Sequence, residues 1–307
     1  MRGRVGGAGH AAHTRYESCP PLRIAAYSDH YDLPEKKYWG DFWLKEGLLR
    51  QFKALGYPVD EDRRGVLLHL FGEPLGETPR ASFRILWIHS HPDWISADIL
   101  RQYDKIYCIS ASFCKKIEAM GFSAEWLMIP TSMTPVEVDP KYDIVFVGNT
   151  KQGKCRKIIR DLRGTTQDVK IWGWGWKGLV PDEWIGGEYC ENEALDRLYA
   201  AAKIVVNDHH DDMGREGFLN PRILDVLASG GFVVSDRAAG IEEFFQGAVP
   251  VYDDPPHLLQ LIDYYLTHDE ERKELSRKGQ TIALHHTYLN ACETIVSSLS
   301  GWLPGCP

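Results

Sequence analysis

The stretch KIVVNDHHDDMGREGFLNPRILDVLASGGFVVSDRAAGIEEFF, residues 203–245, concentrates the side chains that could do chemistry. A β-rich run ends at Asn207, a polar loop follows, and Asn220-Pro221-Arg222 opens a helical stretch. Pro221 suits the first helical turn and Asn220 the N-cap. Arg222 then lies beside unbonded backbone amides at a helix amino end, a setting suited to a diphosphate. Asp225 follows three residues later on the same helical face, where a carboxylate can accept hydrogen bonds from ribose hydroxyls. An ordinary Arg–Asp surface pair has the same spacing, so both readings stand at this point.

Within the polar loop, Asp208-His209-His210-Asp211-Asp212 carries the residue types of a first-row metal site. Adjacent loop residues point in different directions, however, and no i, i+4 pair is available. A polar loop lining a donor site, with Asp208 and His209 against the ligand and no metal, is the preferred reading. Neither Asp211-Asp212 nor Asp253-Asp254 has the spacing of an Asp-x-Asp metal motif. Further upstream, two strand ends offer a general base for an acceptor hydroxyl. Ser28-Asp29-His30-Tyr31 supplies Asp29, and His89-Ser90-His91-Pro92-Asp93-Trp94 supplies His91. His89, at the end of a buried run, reads as a structural histidine. A mechanism that retains configuration would need no such base and would rest on Arg222 and Lys151 instead.

These residues need elements to position them. Short apolar runs alternate with amphipathic stretches along the chain, the pattern of parallel sheets flanked by helices. Strands are expected at 22–28, 65–71, 83–89 and 105–110, and a helix over 39–55 with Leu44, Leu48, Phe52 and Leu55 on one face. The segment 130–141 has three prolines and no periodicity, and reads as a linker over 131–141. A second series then begins, with strands at 143–148, 169–173, 203–207, 232–236 and 249–253. The organisation expected is a flexible leader over 1–21, a Rossmann-like domain over 22–130, a second over 142–269, and a helical tail over 270–307. Two such doubly wound α/β domains would face each other across a cleft, with function in the residues just after strands. Phe146-Val147-Gly148-Asn149-Thr150-Lys151 is one such strand-to-turn passage, and Ile171-Trp172-Gly173-Trp174-Gly175-Trp176 another.

The run 203–245 resembles the nucleotide-binding half of GT-B glycosyltransferases, in particular the CgeB-like group named after spore-maturation proteins. That group carries an Asn-x-Arg-x-x-Glu-x-x-Ala-x-Gly helix, then an apolar strand, an acid and Gly-x-x-x-x-Phe. Here the positions are Asn220, Arg222, Asp225, Ala228, Gly230, Asp236, Gly240 and Phe245. Asp225 stands where the group usually has Glu, a shorter reach. The resemblance implies that the turn Gly148, Asn149, Thr150 and Lys151 faces a sugar diphosphate and that Trp174 lies near the base. It further implies transfer of a hexose from a UDP- or GDP-linked donor to a glycan or small-molecule acceptor, with no cofactor besides that donor substrate. A non-catalytic two-domain nucleotide or sugar binder, and a sugar-nucleotide epimerase, are the alternatives.

Composition narrows the partners. The chain has 307 residues and a net charge of −8, which argues against a general nucleic-acid binder. No apolar run reaches the length of a membrane span, and the first twenty residues lack the apolar centre of a secretory signal. The seven cysteines are scattered without a C-x-x-C pair, and read as reduced thiols of a cytoplasmic protein. The first domain is short for this architecture, which suggests an acceptor site completed by a partner or a second subunit.

Overall fold

The computed structural model describes residues 16–76, 78–302 and 306. The chain divides into two units, one formed by 1–130 with 287–307 and the other by 131–286. The stretch expected as a single tail over 270–307 is therefore shared between them. Of the expected leader, 1–15 lie outside the described residues. Residues 16–21 do not behave as a leader: Tyr16 and Cys19 are buried, and the Tyr16 ring lies 5.7 Å from that of Tyr57.

The first unit is a five-stranded parallel sheet: β1 (Leu22–Ala26), β2 (Val66–Phe71), β3 (Phe83–Ile88), β4 (Lys105–Cys108) and β5 (Glu125–Trp126). Strands β2 and β3 are almost wholly buried, as their unbroken apolar runs require in a sheet covered on both faces. Helix α1 (Gly40–Ala54) buries Leu44, Leu48 and Phe52, one stripe at i, i+4 and i+8. The short α2 (Ala97–Leu100) and α3 (Ala111–Ala119) follow β3 and β4. The strands lie in chain order, β1-β2-β3-β4-β5, so this sheet has no reversal of direction.

The second unit has six parallel strands: β6 (Tyr142–Val147), β7 (Val169–Trp172), β8 (Ile185–Gly187), β9 (Ala202–Asn207), β10 (Val233–Asp236) and β11 (Val251–Tyr252). Their order is β11-β10-β9-β6-β7-β8. Ile144, Phe146, Ile171, Ile204, Val206 and Val234 form the core of the sheet, closed by Leu258 and Ile262. The helices are α4 (Lys157–Asp161), α5 (Leu195–Ala200), α6 (Asp211–Glu216), α7 (Arg222–Ala228), α8 (Ile241–Phe244), α9 (Pro255–Thr267) and α10 (Asp269–Ala283). The final helix, α11 (Tyr288–Leu299), belongs to the first unit and packs on α1, where Gly47 leaves room for the Tyr288 ring.

Strand β8 and helices α2 and α6 have no counterpart in the sequence patterns. Strand β8 is Ile-Gly-Gly, too short for a period, and α6 begins in the Asp-Asp stretch, where acids favour a helix amino end. The reading of all seven cysteines as reduced thiols is corrected for one pair. Cys19 and Cys306, 287 positions apart, form a disulfide with a Cα separation of 5.0 Å. Such a pairing across the whole chain leaves no local spacing signal. Among the described residues, no helix is long and apolar enough to cross a membrane.

Candidate functional site

The chain runs from β6 outward to β7 and β8, then returns to place β9 on the other side of β6. The loops leaving the carboxyl ends of β6 and β9 therefore diverge, and open α/β sheets hold ligands at such a reversal. The residues expected to bind a donor stand there.

Phe146, near the end of β6, is buried with two guanidinium groups over its ring, Arg222 at 5.3 Å and Arg156 at 5.9 Å. Arg222 donates to Asn207 Oδ1 at 3.1 Å, and Asn207 donates in turn to Ser235 Oγ at 3.0 Å. Gly148 accommodates this placement, since a Cβ there would lie 3.1 Å from Arg222 Nη2. Arg222 thus packs against the bare backbone of the β6 turn. Burial lowers its pKa, helped by Arg156 and opposed by Tyr199, Asp208 and Asp225. At more than four units above neutrality in its ordinary state, an arginine stays charged, and in a desolvated setting its field on an anion is strengthened.

Asn220 performs the expected capping. Its Oδ1 accepts from Arg222 N at 3.1 Å, and Pro221 already has helical backbone angles. Asp225 is half-buried, and Thr131 Oγ1 donates to its Oδ1 at 2.6 Å. Burial pushes the Asp225 carboxyl up to about 6, while Thr131 and Arg222 pull it down. Neither Arg222 nor Asp225 has the environment of an exposed surface pair. Thr131, in the segment expected to be a linker, carried no sequence signal for this role.

The turns after β6 and β7 are knitted together. Trp172 O accepts from Gly148 N, Asn149 Oδ1 from Trp174 N, Trp174 O from Thr150 N, and Gly148 O from Trp176 Nε1, at 2.8 to 3.1 Å. Gly173 makes this possible: its φ is +150°, and a Cβ would lie 2.1 Å from Gly148 O. Asn149 is thereby committed to the turn, and Thr150 contributes through its backbone. Lys151 is exposed and closes a tight hairpin with Lys154. Of the three tryptophans, Trp176 is buried, Trp172 is half-buried against Tyr142, and Trp174 is 64% exposed. Only Trp174 offers an open ring face.

The β9 loop differs from the polar wall that was expected. Asp208 has a side chain 2% exposed and paired with both Arg156 Nε and Nη2. His209 has a side chain 1% exposed. Its Nε2 accepts from Asn220 N at 3.0 Å, so the ring proton sits on Nδ1 and is donated to Asp236 Oδ1 at 2.6 Å. Both ring nitrogens are consumed, and His209 ties the ends of β9 and β10 to the Asn220 corner. Asp211 and Asp212 lie in the first turn of α6. Among the described residues, no three His, Cys, Asp or Glu side chains converge into a set that could hold a metal ion. Arg156, which had no motif to announce it, is the residue that sequence reasoning missed.

In the first unit, Asp29 and His91 follow β1 and β3, strands separated by β2. Asp29 accepts from Ala26 N at 3.0 Å and pairs with Lys45 Nζ at 2.9 Å. His91 has left-handed backbone angles, φ +49°, and stacks on Trp94 at 4.3 Å. The structure does not bring the two together.

Known proteins share this architecture. HepE of Anabaena, solved with UDP and glucose, superimposes with a TM-score of 0.65 over 92% of this chain and 99% of its own, at 11% identity. The chain has the GT-B fold. The β-glucosyltransferase of phage T4 matches over 91% of this chain and 99% of its own (TM-score 0.56, 11% identity). A sucrose-phosphate synthase of Thermosynechococcus elongatus covers 88% and 80% respectively (TM-score 0.59, 15% identity). Residues 151–297 match the family described as glycosyl transferase-like. No curated protein sequence matches the chain.

Proposed function

We propose that the protein is a glycosyltransferase of the CgeB-like group, moving a hexose from a UDP-linked donor to a hydroxyl acceptor without a metal. One observation carries the reading: Arg222 lies against the unsubstituted backbone of the Gly148 turn at the reversal of the second sheet. An oxygen of the diphosphate would take the Arg222 guanidinium, with Lys151 at the rim. As the bond from sugar to diphosphate breaks, negative charge grows on the leaving group where these fixed cations already stand. Asp225 would accept from the ribose hydroxyls, and the open face of Trp174 would stack on the base. The choice of UDP leans on the Anabaena protein, which has been solved with UDP-glucose.

Calorimetry against UDP, GDP, dTDP and CMP tests the donor site, and UDP release from UDP-glucose tests turnover. Arg222→Ala removes a charged hydrogen-bonding group worth about 1.5–3 kcal/mol, so UDP should bind roughly 10- to 100-fold more weakly. Unchanged UDP affinity in that variant would refute the site. UDP binding without release would favour a binding protein, and isomerised hexose an epimerase.

A further inference from the structure

Two hydrogen-bonded arms leave Arg222 and end on the same carboxylate. On the guanidinium side, Arg222 Nη1 donates to Asn207 Oδ1 at 3.1 Å and Asn207 Nδ2 to Ser235 Oγ at 3.0 Å. Ser235 Oγ then donates to Asp236 Oδ1 at 3.3 Å. On the backbone side, Arg222 N donates to Asn220 Oδ1 at 3.1 Å and Asn220 N to His209 Nε2 at 3.0 Å. His209 Nδ1 then donates to that same Asp236 Oδ1 at 2.6 Å, and His209 N to Oδ2 at 3.0 Å. Asp236 ends β10, and every link lies within the second unit.

The donor and acceptor types permit one direction of bonding. Arginine has no acceptor, so Asn207 turns its carbonyl to Arg222 and its amide nitrogen to Ser235. Ser235 Oγ receives that proton and gives its own to Asp236. A backbone N–H can only donate, so Asn220 N requires a lone pair on His209 Nε2, and the ring proton goes to Asp236. The Asn220 amide is oriented too, with Nδ2 donating to Asp208 O at 3.3 Å while Oδ1 faces Arg222 N. Only an ionised Asp236 has no proton to give, and so it terminates both arms. The middle links are shielded from solvent: Asn207 and Ser235 are 0% exposed, and the His209 side chain 1%.

We propose that Asp236 is a positioning residue for the diphosphate-binding arginine: it holds Arg222 at both ends, the guanidinium through Ser235 and Asn207, the backbone through His209 and Asn220. The proposal rests on the reading of Arg222 as the diphosphate ligand. An arginine side chain has many rotamers to lose, and ordering them at the moment of binding subtracts from affinity. Here the ordering is completed on folding, so the cation stands in place before an anion arrives. With either arm cut, Arg222 stays charged but is no longer fixed, and the ordering cost returns to the binding step. Asp236 thus acts on the ligand only through Arg222, which separates it from a residue that merely supports the sheet.

The test is a double-substitution cycle on the full chain, with UDP affinity read by calorimetry and by the rise in melting temperature at millimolar UDP. Asp236→Asn keeps the shape, weakens both arms and should lower UDP affinity roughly tenfold. In an Arg222→Ala background the same substitution should change UDP affinity by less than about twofold, because no guanidinium remains to be positioned. Ser235→Ala, which cuts one arm, should show the same pattern with a smaller loss, and it carries the test should Asp236→Asn lose its thermal transition. An equal loss in both backgrounds, or no loss in the first, overturns the proposal and leaves the donor-site reading intact. Wild-type protein that binds no UDP, or an Arg222→Ala variant that binds it as tightly as wild type, overturns the donor-site reading and this proposal with it.

Discussion

Asp225→Asn exposes a conflict between stability and ligand binding. Burial raises the Asp225 carboxyl from 3.8 to about 6. That gap of about two units corresponds to roughly 3 kcal/mol at about 1.4 kcal/mol per unit, as a ceiling on what the ionised form costs the fold at neutral pH. Asn keeps the shape and can still accept from Thr131 Oγ1, but carries no charge to desolvate. An uncharged amide retains part of the burial penalty, so the second unit should gain about 1–2 kcal/mol at pH 7.5. The pH dependence has a defined sign. An acid whose pKa is raised on folding binds more protons folded than unfolded between pH 4 and 6, so wild-type stability recovers as pH falls through that window. Urea melts of wild type and variant should therefore differ at pH 7.5 and converge near pH 4. Meanwhile UDP should bind roughly tenfold more weakly or worse, for want of the charged acceptor. A variant less stable than wild type at pH 7.5, or a difference independent of pH, would refute the claim that desolvation dominates at Asp225.

Two other substitutions probe the framework. Gly173→Ala places a Cβ 2.1 Å from Gly148 O at φ +150°, so it should cost about 2 kcal/mol or more and displace the β6 turn. Chemical denaturation and UDP calorimetry should both register it, and an unperturbed UDP affinity would contradict the knitted geometry. Arg156→Ala strands the Asp208 carboxylate, whose side chain is 2% exposed, and should cost about 3–5 kcal/mol. Adding Asp208→Asn should restore part of that loss; a strictly additive double variant would show that the pair is not coupled.

Much of this was legible in the residues alone. The strands β1 to β4, β6, β7, β9 and β10 stand out as apolar runs because both faces of a parallel sheet are covered. Helix α1 stands out through the period of Leu44, Leu48 and Phe52, and the Asn220-Pro221-Arg222 corner through capping chemistry that acts within three residues. Local rules of this kind need no tertiary knowledge.

Other roles are contacts between residues far apart in the chain. Thr131 reaches Asp225, Arg156 neutralises Asp208, and His209 is consumed by Asp236 and Asn220, so a histidine in a polar loop becomes a brace. The strand order is decided the same way: the second sheet reverses beside β6 while the first runs straight, and neither fact has a local signature. His89 reads as structural in the sequence because it closes an apolar run. Only the burial that folding supplies leaves its Nε2 without a hydrogen-bond partner. Periodicity and capping belong to the chain, whereas desolvation and pairing belong to the neighbours that folding supplies.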